Sequence, residues 1–220
     1  MMVKQILKID LVSDVVCPWC AIGYKRLEKT LDILKDDIEA DITWHPFQLN
    51  PHIPEEGENL RAHLAAKYGT TLEGSIKARA NITELGAQVG FTFNYFDEMK
   101  TYNTFNAHQV LHYAHEKNKQ TEMQLRLLSA FFGEREDIGQ TCVLAAQAAK
   151  VGLDEKEVLA LLEDQRYAGP VREAQQFWLN QGVHAVPTFV FNKQSAISGA
   201  YDVETLTQVI NEAAKIAEHT

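Results

Sequence analysis

Hydrophobic and polar positions alternate along residues 5–13 (QILKIDLVS), as they do in a strand with at least one buried face. Apolar residues then recur at helical spacing over Tyr24–Leu34. Strand-like alternation resumes over Ala40–Leu49. The pattern therefore predicts that the chain begins with a strand–helix–strand unit.

Over the next hundred residues, the apolar positions change from strand-like alternation to helical spacing. Asn50–Gly57 holds two of the six prolines and marks a break. From Leu60 to Gln165 almost every segment has the pattern of an amphipathic helix. Capping-box pairs and helix-ending glycines support these helices: Thr70 with Glu73, Asp154 with Glu157, Gly90 and Gly152.

The end of the chain returns to mixed structure. A helix is predicted over Val171–Gln181, followed by a β-branched and aromatic strand within Val183–Phe191 and a short strand-like run at 197–199. Asp202 is the predicted cap of a final helix. These patterns predict an α/β domain formed by residues 1–56 and 166–220, interrupted by an all-helical domain at 57–165.

Composition restricts the function classes. The 220 residues, 45% hydrophobic and 23% charged, are typical of a globular protein. A net charge of −9 and the lack of a basic cluster argue against a nucleic-acid partner. The first residues lack the apolar run of a secretory leader, and the sequence has no apolar span of membrane length. We therefore expect a cytoplasmic protein with no membrane partner.

Cys17-Pro18-Trp19-Cys20 lies between the first predicted strand and the first predicted helix. Backbone N–H groups at a helix N-terminus stabilise a thiolate, so Cys17 is the candidate nucleophile and Cys20 the resolving thiol. A zinc site would need a second pair of ligands at suitable spacing, which the sequence does not offer. With three cysteines in total, the pair is predicted to be catalytic rather than part of a disulfide framework.

Several other residues admit two interpretations. Pro187 is either the first residue of a strand or part of a cis peptide bond. Asp14 either caps its loop or accepts a proton from the buried thiol. Trp19 either contacts peptide substrates or shields the sulfur atoms. Cys142, flanked by small apolar residues on a predicted helix, is expected to be a buried hydrophobe without a redox role.

A histidine stripe offers a metal hypothesis. His108, His112 and His115 have a spacing that allows one helix face to carry all three. No well-placed carboxylate or thiolate completes a metal site, so we expect the stripe to be solvated or packed, with no bound metal.

Four segments together resemble a known family: SDVVCPWC with its following Ile-Gly, then FQLNP, VPTFVFN and ISGAYDVETL. They are similar to the DsbA-like thioredoxin superfamily, and within it to the FrnE-like branch of cytoplasmic dithiol oxidoreductases. The resemblance implies a thioredoxin fold with a helical domain inserted after the second strand. It also implies exchange through Cys17 and Cys20 beside a cis Val186–Pro187 bond.

The same resemblance implies how substrates are bound. Pro18, Trp19 and Val186 would contact the substrate, and Asn103 and His108 would line the cleft. Gln48 and Tyr201 depart from the residues usual at their positions, and the histidine common between the cysteines is absent.

The function predicted from these features is that of a thiol–disulfide oxidoreductase or isomerase. It would need no cofactor beyond the dithiol. Its substrates would be protein or small-molecule disulfides and thiols, with glutathione as a candidate co-substrate. The protein would work as either a monomer or a homodimer. One alternative is a glutathione-dependent transferase or isomerase of related fold, although that branch carries Ser where this chain has Cys17. Another alternative is a redox-linked chaperone that holds peptides without turnover.

Overall fold

A computed structural model describes residues 4–217. Residues 1–3 and 218–220, the outer ends of the predicted α/β domain, lie outside the described residues. The strands are β1 (Gln5–Ser13), β2 (Ile38–Pro46), β3 (Glu58–Asn59), β4 (Lys100–Thr101), β5 (Thr188–Phe191) and β6 (Ser195–Ser198). The helices are α1 (Pro18–Ile33), α2 (Leu60–Tyr68), α3 (Leu72–Gln88), α4 (Phe105–Glu116), α5 (Gln120–Phe132), α6 (Thr141–Lys150), α7 (Glu155–Asp164), α8 (Ala168–Asn180) and α9 (Val203–Ala217).

The main sheet has the strand order β2-β1-β5-β6. β1 is parallel to β2, with α1 as the crossover, and antiparallel to β5. Alternate residues of the central strand, Leu7, Ile9 and Leu11, pack in a core with residues of α1 and α9. Val12 faces a smaller cluster with Trp178 of α8. The period of two in β1 therefore places helices on both faces of the sheet.

Helices α2 to α7 share a second, larger core that contains Phe131, Phe132 and Met123. Val16 and Ile22, from the junction of β1 and α1, belong to this core as well. The segment with the two cysteines is consequently packed between the sheet and the helical layer.

The helical layer also covers the edge strand of the sheet. The side chain of Gln120 in α5 accepts a hydrogen bond from the backbone N–H of Trp44 at 3.0 Å and donates one to its carbonyl at 2.9 Å. The indole N–H of Trp44 donates to Thr121 Oγ1 at 2.9 Å. These bonds satisfy the backbone N–H and carbonyl of Trp44, which would otherwise be unpaired at the edge of the sheet.

The observed elements follow the predicted order, except that β3 and β4 pair as a short antiparallel sheet within the block predicted to be all-helical. Several boundaries also differ. β1 covers the predicted 5–13, whereas β2 runs over Ile38–Pro46 instead of Ala40–Leu49. The strand within the predicted run Val183–Phe191 is confined to Thr188–Phe191. α8 begins before Val171 because Pro170 lies in its first turn, where a proline is tolerated. The domain boundaries at 57 and 165 stay a prediction.

The structure confirms one predicted helix cap and corrects another. Asp154 caps α7 by accepting hydrogen bonds from the N–H groups of Lys156 and Glu157. The cap of α3 is Thr71, which accepts from Gly74 N, so the prediction of Thr70 was wrong by one residue. Gly90 and Gly152 both adopt positive φ, as expected for residues that end helices.

The prediction that Cys142 is buried is wrong, because its side chain is exposed. The buried face of α6 is formed by Leu144, Ala145, Gln147 and Ala148. Cys142 lies on the opposite face of this helix. The small apolar neighbours that suggested burial are themselves divided between the two faces.

Gly86 of α3 gives a test of the packing between α3 and the chain that follows it. A Cβ atom at this position would lie 2.6 Å from Phe93 Cε2 and 2.8 Å from the Phe91 carbonyl oxygen. We expect Gly86→Ala to lower the free energy of unfolding by about 1–3 kcal/mol, as overpacking does in other cores. Urea denaturation of the reduced protein measures this change.

Gly169→Ala is the matched control. Position 169 lies in α8, and a Cβ atom added there would meet no neighbouring element within 4 Å. We expect a loss below about 1 kcal/mol, because the helix propensity of alanine is offset by the contact of its Cβ with the ring of Pro170. Equal losses in the two variants would contradict the proposed steric cause.

Candidate active site

The sheet register brings two loops together at one end of the central strands. Val12, near the end of β1, pairs with Thr188, the first residue of β5. Because these strands are antiparallel, the chain leaving β1 and the chain entering β5 lie at the same edge. Cys17 follows the first of these ends and Pro187 precedes the second.

Cys17 is the N-cap residue of α1, with extended backbone angles of φ −95° and ψ 112°. Pro18 takes the first helical position, where its lack of an N–H group has no cost. The backbone N–H of Cys20 donates to the carbonyl of Cys17 at 3.1 Å, which begins the helix. Both cysteines are buried free thiols.

The loop before β5 approaches the first thiol directly. Cys17 Sγ donates to the carbonyl oxygen of Val186 at 3.5 Å. The Val186–Pro187 peptide bond is cis. Gly23 allows α1 to come close to this loop, since a Cβ atom there would lie 3.1 Å from Pro187 Cγ.

The environment of Cys20 keeps its thiol protonated. Its pKa is raised well above the ordinary value, chiefly by burial and further by the hydrogen bond and charge of Cys17. Contacts with the Ser13 side chain and the Asp14 backbone oppose this increase in the pKa. At neutral pH, Cys20 must therefore lose a proton before it can act as a nucleophile.

Asp14 is fully buried beneath this pair. Its backbone carbonyl accepts from Cys17 N at 3.1 Å. Its Oδ2 accepts from the backbone N–H of Leu49 at 2.8 Å, and its Oδ1 lies 3.4 Å from His108 Nε2. The Asp14 side chain thus binds the segment after β2 rather than the N–H groups of its own loop.

His108 and Asn103 contact backbone carbonyl groups of the segment after β2. His108 Nε2 lies 3.0 Å from the carbonyl oxygen of Phe47, and Asn103 Nδ2 donates to the carbonyl of Pro51 at 3.0 Å. Gln48 donates to Asn103 Oδ1 at 3.0 Å. Neither His108 nor Asn103 lines the cleft beside Cys17.

The three histidines of α4 line a cavity different from the cleft beside Cys17. His108, His112 and His115 line a cavity of about 210 Å³ together with His45. Burial lowers the pKa of His112 below its ordinary value. Within the described part of the chain, no group of three or more His, Cys, Asp and Glu side chains is arranged to hold a metal ion.

A cleft of about 470 Å³ opens beside Cys17, a size typical of small-molecule sites. Trp19 and Val186 line it on the side of the α/β domain, and Trp19 is exposed. α2 and α3 form the opposite wall. Sequence patterns did not single out the polar residues of that wall: Lys67, Ser75, Arg79 and Tyr95.

The relation to known proteins agrees with this geometry. Residues 8–211 match the family described as the DSBA-like thioredoxin domain. The chain belongs to this family. The predicted relation to DsbA-like proteins and the predicted thioredoxin fold are thereby confirmed.

Two relatives of this DSBA-like chain resemble it over most of their length. A probable DsbA oxidoreductase from Streptomyces coelicolor is 28% identical with a TM-score of 0.88, covering 94% of this chain and 89% of that one. The uncharacterized protein YwbO of Bacillus subtilis (strain 168) is 27% identical over 208 residues, which cover 94% of this chain and 97% of YwbO.

The cytosolic disulfide reductase DsbM from Pseudomonas aeruginosa, solved with GSH, shares the fold at 13% identity and a TM-score of 0.62, covering 96% of this chain and 98% of DsbM. Among residues 4–217 of the DSBA-like chain, no helix is both long and apolar enough to cross a bilayer.

The raised pKa of Cys20 predicts slow alkylation that depends on pH. The thiolate is the form that reacts with iodoacetamide. A thiol with a raised pKa therefore reaches its full alkylation rate only at a pH above the pKa of an ordinary cysteine. In a Cys17→Ser variant, we expect iodoacetamide at pH 7 to modify Cys20 at least ~10-fold more slowly than a free thiol. Peptide mass spectrometry over pH 7–10 measures the rate.

Cys142, which is exposed, serves as the internal control in the same sample. An alkylation rate of Cys20 that levels off below pH 8 would contradict a raised pKa for this thiol.

The bond from Leu49 to Asp14 predicts a graded loss of stability. Asp14→Ala leaves the partly buried Leu49 N–H without its acceptor, and we expect a loss of about 1–3 kcal/mol in the free energy of unfolding. Asp14→Asn keeps an oxygen at this position and should lose less. Asp32→Ala, at an exposed ion pair, should stay within about 0.5 kcal/mol of the unchanged protein. Urea denaturation compares the three variants, and equal losses for Asn and Ala would argue against the hydrogen bond as the cause.

Proposed function

We propose that this protein is a thiol–disulfide oxidoreductase that works through Cys17 and Cys20. The observation that carries the proposal is the placement of Cys17 at the N-cap of α1, with its sulfur beside the Val186 carbonyl and Cys20 one helical turn later. A nucleophile at a helix N-terminus with a second thiol within reach has the arrangement that disulfide exchange requires.

In the direction of substrate reduction, the Cys17 thiolate attacks one sulfur of a substrate disulfide. The substrate S–S bond breaks, a mixed disulfide forms on Cys17, and one substrate thiolate leaves. Cys20, after losing its proton, attacks the Cys17 sulfur and releases the second substrate thiolate. The substrate has then gained two electrons and the protein holds a Cys17–Cys20 disulfide; oxidation of a substrate dithiol is the reverse.

The proton of Cys20 needs an acceptor because burial keeps this thiol neutral. Asp14 is the candidate, since its carboxylate is buried in the same junction and its backbone contacts Cys20. Substrate backbone would dock on Val186, with Pro18, Trp19 and Pro187 around it. We also propose a cytoplasmic location, as for the cytosolic reductase DsbM, whereas membership of the FrnE-like branch stays a prediction.

A glutathione-dependent reaction is the second candidate. DsbM, which shares the fold, was solved with GSH, and the cleft beside Cys17 has the size of a small-molecule site. Glutathione can serve either as the reductant of the Cys17–Cys20 disulfide or as the substrate of a transferase. The two roles differ in whether Cys20 is required.

Redox titration with single-cysteine variants tests the proposal. We expect the unchanged protein in glutathione buffers to pass reversibly between a dithiol and an intramolecular disulfide, measured by alkylation and mass. Cys17→Ser should abolish disulfide exchange, and Cys20→Ser should accumulate a mixed disulfide on Cys17. Cys142→Ser, an exposed position on α6, should behave as the unchanged protein.

Full activity in Cys17→Ser would overturn the mechanism. A protein that never forms the intramolecular disulfide, yet carries glutathione on Cys17, would favour the transferase. Peptide binding that survives Cys17→Ser, with no exchange in the unchanged protein, would favour a chaperone.

A further inference from the structure

Arg79 of α3 is one of the residues that line the cleft beside Cys17. Its Nη1 donates to the carbonyl of Phe96 at 3.1 Å. Its Nε and Nη2 are both buried without a hydrogen-bond partner. A buried donor without an acceptor is costly, so these two groups would gain from an acceptor that a ligand supplies.

Ser75, one turn earlier on α3, adds a second unsatisfied group. Its side chain is 3% exposed, its Oγ has no partner, and it lines the same cleft as Arg79. Residues four apart lie on one face of a helix, so both groups belong to one wall.

The positive charge at this wall is only partly balanced by acidic groups among the described residues. Asp97 lies near Arg79 but forms an ion pair with Arg61 at 2.6 Å. Lys67 also lines the cleft, and its ammonium group donates only to uncharged oxygens of Leu49 and Asn50. No Asp or Glu occurs among the described residues that line the cleft, although the whole chain carries a net charge of −9.

Tyr95 connects this cation to the reactive thiol. The guanidinium carbon of Arg79 lies 5.4 Å from the centroid of the Tyr95 ring. The Tyr95 phenol interacts electrostatically with both Arg79 and Cys17. A small molecule that contacts Arg79 is therefore within the same cleft as the sulfur that would attack it.

We propose that Arg79 and Ser75 form a carboxylate-binding subsite, which selects small disulfides that carry a carboxylate near the sulfur. Nε and Nη2 lie along one edge of the guanidinium, and this edge matches the two oxygens of a carboxylate. The Ser75 hydroxyl supplies a further donor. The inference rests on the proposed function and names the substrate class of that same site.

Two disulfides of similar size and different charge test the subsite. The anionic one is dithiodiglycolate, and the neutral one is bis(2-hydroxyethyl) disulfide. We expect Arg79→Gln to lower kcat/KM for the anionic disulfide by about 10- to 100-fold, the loss typical of a charged hydrogen-bonded pair, and to change the neutral one by less than about 2-fold. Ser75→Ala should produce a smaller loss with the same preference.

Lys77→Gln is the matched control. It removes the same charge from the same helix, but Lys77 is exposed, pairs with Glu73 and does not line the cleft. Three results would each overturn the subsite. Arg79→Gln could lower kcat/KM equally for both disulfides, it could lower neither, or Lys77→Gln could cause the same loss. Thermal unfolding of each variant shows whether it is folded.

Binding separates failure of the subsite from failure of the proposed function. Thiodiglycolate carries the same carboxylates on a thioether, which cannot undergo disulfide exchange. We expect it to bind the unchanged protein in titration calorimetry and to bind Arg79→Gln at least ~10-fold more weakly. This result in a protein that reduces neither disulfide would support the subsite and refute the oxidoreductase. Absence of binding to the unchanged protein would overturn the subsite.

Discussion

The buried carboxylate of Asp14 fixes the arrangement of the segments around the thiols. A buried carboxylate is costly unless its oxygens have donors nearby. Leu49 N supplies one to Oδ2 at 2.8 Å, whereas Oδ1 has no hydrogen-bond partner among the described residues and lies 3.4 Å from His108 Nε2. The end of β1, the segment after β2 and helix α4 therefore meet at one side chain, and the Asp14 carbonyl holds the N–H of Cys17 at that point.

The chemistry at the sulfur atoms and the shape of the cleft come from distant parts of the chain. The dithiol and Asp14 lie within a few residues, where β1 passes into α1. The opposite wall, with Ser75 and Arg79, is formed by a helix that packs with few buried residues of its own. If Arg79 and Ser75 bind substrate as proposed, changes in α3 alter substrate preference without moving the thiols, because Asp14 holds the thiols through other contacts.

Local patterns in the sequence predicted the local features well. β1 has a strict period of two, and Cys17-Pro18 is a typical helix start, so both were predicted from short windows. The exposure of Cys142 was not, because alanine-rich helices show little contrast between their faces. Ser75 and Arg79 gave no signal either, since their importance depends on partners they lack rather than on any motif.

The negative net charge of the protein and a carboxylate-bearing substrate are physically compatible. Charges on the surface are screened by salt over a Debye length of about 8 Å at physiological ionic strength. Within the cleft, screening is weaker, and the residues that line it supply Lys67 and Arg79 but no carboxylate. The field that a bound substrate experiences is therefore set by these two cations, whereas the net charge of −9 acts mainly on its approach. Raising the salt concentration weakens the repulsion during approach more than the attraction inside the cleft.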